Sequence, residues 1–453
     1  MTEIKRKNNL ILGLFVALFK LSLGFIAYPL YLHYLSSIEL TIYFLFISTG
    51  IIIELLDFSF SGSLSRYFAY ASNYNLAEQN NIDKKIQVYH PMLLLHFAKI
   101  HYRILSLLTI LILIVGFSFY LYFFTRLHHT SFWNFEVIWI LYSLSTLLVV
   151  YFSYMSPLLI GFGHIDKLNK ISFISRVCGF VVQVILIVCN FGLITLAISA
   201  FISAVIERSL LYLAVKELIV DITPRKMSKA QMREIFSEIW KTTYKLGLIT
   251  LSWLLISRLN SFVIGISIKD VHLLNQYLFT FQIITILMGL SHVPISNNYG
   301  DISSFYVSDI NKSIHVFLKA NKQSIWIMVV LSVLMLLFGD IALNIVGVKH
   351  SLLPVQYSIL MVIIYIFEKQ LVNHSTMISV RNEVPMLGSY LTSGILIALT
   401  IIILTFLKIH NLWCYLLPQL IFQSVYNYWY WVKYNLKKFN IQLLEYLKNI
   451  FVL

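Results

Sequence analysis

Asp221-Ile-Thr-Pro-Arg-Lys-Met-Ser-Lys-Ala230 lies within a charged segment, Lys216 to Lys241, that interrupts an otherwise apolar chain. On either side the sequence runs in blocks long enough to cross a lipid bilayer. A hydrocarbon core about 30 Å thick needs roughly 20 apolar residues per helix. Such blocks start near residues 8, 38, 104, 134, 170 and 192 before the segment, and near 242, 273, 323, 352, 384 and 411 after it. The expected fold is an all-α polytopic membrane protein with twelve transmembrane helices, numbered here as spans one to twelve. They form two pseudo-symmetric six-helix bundles around a central cavity, with residues 1-219 as the N-terminal bundle, 220-241 as a cytoplasmic linker and 242-453 as the C-terminal bundle.

Composition supports this reading. Of 453 residues, 59% are hydrophobic and only 12% charged, about half the roughly 25% charged fraction of soluble domains. Mean hydropathy is +0.80. Too few polar residues remain to clothe a water-facing surface, which excludes soluble enzymes and nucleic-acid binders. The net charge of +14 sits in loops between apolar blocks, where a membrane protein concentrates it.

Lys and Arg placement gives the orientation. Of the 34, Arg126, Lys269, Lys349 and Lys408 fall in external segments and Lys20, Arg208 and Arg258 within spans; the rest lie on the side of the N-terminus. The positive-inside rule then puts both termini in the cytoplasm. The apolar run Leu10–Tyr34 exceeds the roughly 7–15 residues of a signal-peptide core, so it reads as a retained first span. His90 to Arg103 reads as an amphipathic interfacial helix leading into span three. Tyr426, Tyr428, Trp429, Tyr430, Trp431 and Tyr434, with Lys433, Lys437 and Lys438, read as an aromatic belt and cationic collar at the inner face.

Chemistry is sparse. There is no GxxxxGK[ST] phosphate loop, and Gly161-Phe-Gly163 lacks the third glycine of a dinucleotide fingerprint. Cys178, Cys189 and Cys414 lie singly in apolar runs, so neither a disulfide framework nor a zinc site is expected. The histidines, His128-His129 and the trio His90, His96 and His101, read as solvated surface. No catalytic residue, cofactor or metal site can be nominated. Transport is the remaining class.

Ionisable residues inside spans cost on the order of 2.5–3.5 kcal/mol each even on the permissive insertion scale, so each asks for a partner or a wet cavity. Lys20 lies roughly 18 Å into span one and Arg258 roughly 24 Å into span seven, at 1.5 Å per residue. As cations on the first helix of each half, they are the candidate anion site, suited to phosphate oxygens. Snorkelling, or for Lys20 a pair with Glu54 or Asp57, is the structural alternative. Glu54 and Asp57, three apart on span two, and the nearby Arg66 are candidates for ion coupling or gating; Asp57 pairing with Arg66 or Arg103 is the alternative. Glu207, Arg208, Asp340, Glu368 and Lys369 read as interfacial, with Glu368 and Lys369 near the inner end of span ten.

Leu55-Leu-Asp57-Phe-Ser59-Phe-Ser-Gly-Ser-Leu-Ser-Arg66-Tyr-Phe-Ala-Tyr-Ala71 resembles the "LLDfG…..l.RY.A.A" signature of the polysaccharide-transporter branch of the MOP flippases, the Wzx-type O-antigen flippases. Ser59 stands where the signature has glycine. Leu158 to Ile171, with Gly161, resembles the family turn into span five. Phe262-Val-Ile-Gly265 with Tyr277, and Asn373-His-Ser375 through Pro385, resemble its later motifs. The resemblance implies a non-enzymatic flippase of the bacterial cytoplasmic (inner) membrane. Its cargo is a polyprenyl-pyrophosphate-linked oligosaccharide carried from inner to outer leaflet by alternating access, with polymerase and chain-length proteins of the same pathway as partners. Cationic cavity residues near the heads of spans one and seven are usual in that family and match Lys20 and Arg258. Two alternatives stand beside it: an ion-coupled drug antiporter of the same fold, which needs acids deep in the membrane, and an O-antigen polymerase, which the short external segments oppose.

Overall fold

The computed structural model describes residues 30–71, 90–219, 228–345, 351–380, 384–409, 411–443 and 446. Every regular element among them is a helix. Nine of these helices are long and apolar enough to cross a membrane, and they match spans three to eleven. Span one lies outside the described residues except for its end, residues 30–34. Span two is built from the short helices Ser37–Ser48 and Gly50–Asp57. Span twelve is Leu412–Val425, followed by a C-terminal helix, Asn427–Lys438.

Packing divides the chain into two compact units. One comprises the described residues within Thr49–Thr250, the other those within Leu21–Ser48 and Leu251–Leu453. The segment read as a linker is helical from Lys229, within Lys229–Trp253. Its Ile235 and Ile239 are fully buried in the core of the first unit.

The expected interfacial helix at His90–Arg103 is corrected. Residues Pro91–Leu127 form one continuous helix, started by His90, whose Nδ1 accepts from the Met92 amide at 3.2 Å, with Pro91 in the first turn. Leu94, Phe97, Ala98 and Tyr102 recur at helical spacing and are buried against Leu64, Phe68 and Leu158. That stripe turns the helix start into protein core while His96 and Lys99 face outward. His101 is not solvated surface either: its ring lies 4.1 Å from that of Phe60. Farther along, Leu107, Leu111, Val115 and Phe119 share one face and are more than half exposed, as a lipid-facing stripe requires.

Close approach of helices rests on small residues, since apolar burial gives little net drive between helices already in lipid. A Cβ added at Gly161 falls 2.8 Å from both the Ala69 nitrogen and the Ser65 carbonyl oxygen, and against the Phe68 Cβ. Glycine there lets Met155–Gly161 touch the backbone of Phe60–Ala71.

Candidate functional site

In the first unit, Asp57 marks a break in the helix. Phe58 and Ser59 both adopt left-handed backbone, with φ of 50° and 62°. This ends Gly50–Asp57 and starts Phe60–Ala71 in a new direction. The left-handed region strains any residue with a Cβ and favours glycine, which is the residue the flippase signature carries at the position of Ser59. Asp57 Oδ2 accepts from the Ser61 amide at 3.2 Å, capping the new helix. Its Oδ1 accepts from the Tyr102 hydroxyl at 2.6 Å. A cavity of about 520 Å³ lies beside it, lined by Asp57 and Tyr102 with the hydroxyl-bearing Ser59, Ser61, Ser156 and Thr250. The Arg66 guanidinium bonds Ser63 at 3.3 Å and Arg103 reaches Tyr151 at 3.5 Å. Neither takes up the ion pair with Asp57 that stood as the alternative. The Glu54 side chain and Lys20 lie outside the described residues.

In the second unit, Arg258 closes a five-residue π-turn, Leu254–Arg258, inside span seven. Such turns shift the helix register and concentrate at functional sites. The Arg258 guanidinium lies 4.8 Å from the centroid of the Phe281 ring. Phe281 is stacked on Tyr277 at 6.3 Å with planes 5° apart, and the Tyr365 ring lies 6.0 Å from it. Among the described residues no carboxylate pairs with Arg258. An aromatic face stabilises a cation by about 0.5–2 kcal/mol while leaving its N–H donors available to an anion.

Glu368 and Lys369 are the second correction. Counting about 20 residues from residue 352 put them at the inner end of span ten. The helix instead runs Val355–Val380, so both sit at its middle, 2% and 1% exposed. Glu368 Oε2 accepts from the Tyr428 hydroxyl at 3.1 Å, and among the described residues no cation pairs with it. Lys369 turns to span eight, where Nζ donates to the Met288 carbonyl at 3.4 Å and meets His292 Nδ1 at 3.1 Å. One turn on, Asn373 donates to Asn321 Oδ1 and Ser324 Oγ, both at 2.9 Å. The Tyr446 hydroxyl is reached by Asn321 at 2.7 Å, by His374 Nε2 at 2.8 Å and by Gln370. Span ten is thus lined by a buried polar network, and ionisable residues at such depth mark ion or substrate paths by default. Glu207 and Arg208, read as interfacial, likewise lie at mid-helix in Ile194–Ile219 and form an ion pair of 3.8 Å. Asp340 accepts from the Leu352 amide at 2.7 Å, which ties the end of span nine to the residues leading into span ten.

The signal for Glu368 and Lys369 was present in the sequence. Glu368, Lys369, Gln370, Asn373 and His374 crowd one apolar block.

The architecture is that of known membrane transporters. A multidrug-resistance MATE family transporter of the MOP superfamily, in an inward-facing conformation, is similar with a TM-score of 0.62 over 95% of this chain and 99% of that one, at 12% identity. The outward-facing conformation of a MATE transporter gives 0.58 over 96% and 95%, at 13% identity. A MOP superfamily transporter from Pyrococcus furiosus, described as having a binding pocket of reverse polarity that suggests a different function, gives 0.59 over 96% and 97%, at 14% identity. No protein-family model and no curated protein sequence matches the chain. The chain therefore shares the fold of these transporters, and every regular element among its described residues is a helix.

Proposed function

We propose that this chain is a flippase for a polyprenyl-pyrophosphate-linked oligosaccharide, an O-antigen repeat unit or similar, in a bacterial cytoplasmic membrane. The observation that carries the reading is Arg258. It is a permanent cation two-thirds of the way along span seven, stacked on Phe281 and unpaired with any described carboxylate. A cationic drug would be repelled there, whereas a pyrophosphate head gains charge-assisted hydrogen bonds from a planar guanidinium. The span-two signature supports the same branch, and the strained backbone at Ser59 gives a physical reason for the glycine in it.

Alternating access supplies the movement, and solved relatives of this fold exist in inward-facing and outward-facing conformations. In the cycle we infer, Arg258, with Lys20 as the second sequence candidate, screens the pyrophosphate while the polyprenyl tail stays in lipid. Glu368 is the group for ion coupling, a role for which the sequence suggested Glu54 and Asp57.

Glu368 also favours the second reading, an ion-coupled drug antiporter of the same fold. That reading required an acid deep in the membrane, and Glu368 is a buried acid at the middle of span ten. The two separate in a deletion strain. A flippase predicts loss of surface glycan bands with polyprenyl-linked single repeat units trapped on the inner leaflet. Unchanged glycan with raised drug sensitivity would establish the antiporter.

A further inference from the structure

The C-terminal helix Asn427–Lys438 has two faces of different chemistry. Asn427, Tyr428, Trp431, Val432, Asn435 and Leu436 are buried. Through them the helix holds span ten: Tyr428 bonds Glu368, and Asn435 Nδ2 donates to the His374 carbonyl at 2.8 Å. The other face carries Trp429, Tyr430, Lys433, Tyr434, Lys437 and Lys438, which line a cavity of about 630 Å³. Three ammonium groups and three rings meet there, and the helix bears no carboxylate.

The rings form a ladder. Tyr430 stacks on Tyr426 at 4.2 Å and on Tyr434 at 6.4 Å, and Lys438 Nζ stands 4.9 Å from the Tyr434 centroid. Lys433 and Lys437 are exposed one turn apart, where like charges repel unless an anion lies between them. Trp429, about half exposed and next to the Tyr428 that bonds the middle of span ten, extends the face away from the lysines as a large apolar wall. A soluble phosphate would have no use for that apolar wall. A lipid phosphate would, because its glycerol and first acyl carbons need an apolar surface beside the cations.

We propose that this face binds the headgroup phosphate of an anionic phospholipid in the leaflet on the Lys/Arg-rich side. Lys433, Lys437 and Lys438 hold the phosphate, and Trp429 and Tyr430 pack against the glycerol and upper acyl chains. Because the opposite face of the same helix holds Glu368 and His374, a bound lipid braces the middle of span ten. The inference is independent of what the protein carries.

The test uses the full-length protein, delipidated in detergent and titrated with phosphatidylglycerol, with phosphatidylcholine of the same chains, and with inorganic phosphate, read by native mass spectrometry. Phosphatidylglycerol adducts are expected at lower concentration than phosphatidylcholine adducts. Changing Lys433, Lys437 and Lys438 together to Gln should weaken retention roughly 100-fold, about fivefold per lysine. Changing the exposed Lys170, Lys216 and Lys229 to Gln should leave it unchanged. Equal binding of the two lipids, full retention by the first triple variant, or displacement of the lipid by equimolar inorganic phosphate would each overturn the proposal. Brominated phosphatidylglycerol should also quench the wild-type protein more than brominated phosphatidylcholine does, with the difference lost in Trp429→Phe. Quenching that does not distinguish the lipids would overturn it without any lysine variant.

Discussion

The Tyr428 hydroxyl donates to Glu368 Oε2 at 3.1 Å, fastening the C-terminal helix to the middle of span ten. Both groups are buried, so removing the donor takes from the carboxyl a hydrogen bond that bulk water is not at hand to replace. Tyr428→Phe should destabilise the protein by about 1–3 kcal/mol. The double variant with Glu368→Gln should lose less than the two single losses added together, because the pair is coupled. Denaturant unfolding in detergent measures both, and a Tyr428→Phe protein as stable as wild type would show that the bond does no work.

The same carboxyl separates coupling from folding. Glu368→Gln keeps the shape of the side chain and removes its charge. The variant should fold, equilibrate cargo across vesicles without a gradient, and fail to accumulate it when a proton gradient is imposed. Accumulation at the wild-type level would remove Glu368 from the coupling role.

Gly161 touches the backbone of Phe60–Ala71, with the Ala69 nitrogen and Ser65 carbonyl 2.8 Å from where a Cβ would stand. Backbone cannot rotate aside as a flexible side chain can. Gly161→Ala should therefore cost about 1–3 kcal/mol through overpacking. A lowered thermal midpoint in detergent is the expected result; an unchanged one means the two helices can separate freely.

Ser59 holds a φ of 62° directly after Phe58 at 50°. Ser59→Gly relieves the Cβ strain and should stabilise by about 0.5–1 kcal/mol, partly offset by the greater freedom of glycine in the unfolded chain. Ser59→Val should destabilise, because a β-branched residue resists this region most. Thermal midpoints in the order Gly, Ser, Val test it, and the reverse order would contradict the geometry.

How much was legible follows from where the information lies. Spans three to eleven were readable because each is a block of apolar residues, a property needing no knowledge of neighbours. Arg258 stood out as a charge in such a block, and its placement over Phe281 needed the fold. Glu368 and Lys369 were misplaced because span ten was counted as a minimal crossing, while the helix runs Val355–Val380 and moves its centre onto them. The start of span three reads as an amphipathic interfacial helix because His90, His96, Lys99, His101 and Arg103 make it too polar to span. The stripe of Leu94, Phe97 and Tyr102 buries its other face. The bonds of Tyr446 to Asn321 and His374 join segments far apart in the chain, and no local pattern announces them.

The most direct test of the central claim is a reconstituted flipping assay. Purified protein in liposomes receives a polyprenyl-pyrophosphate-linked fluorescent oligosaccharide on both leaflets, and an added glycosidase reports the fraction reaching the outside. Wild-type protein should expose the whole pool, whereas protein-free liposomes expose the outer-leaflet fraction alone. Arg258→Gln should slow exposure by roughly tenfold or more, the scale of one lost charge-assisted contact of about 1.5–3 kcal/mol, with Arg258→Lys between. Cargo confined to its original leaflet by wild-type protein that nonetheless exports a cationic dye against a proton gradient would contradict the flippase account and leave the antiporter in its place.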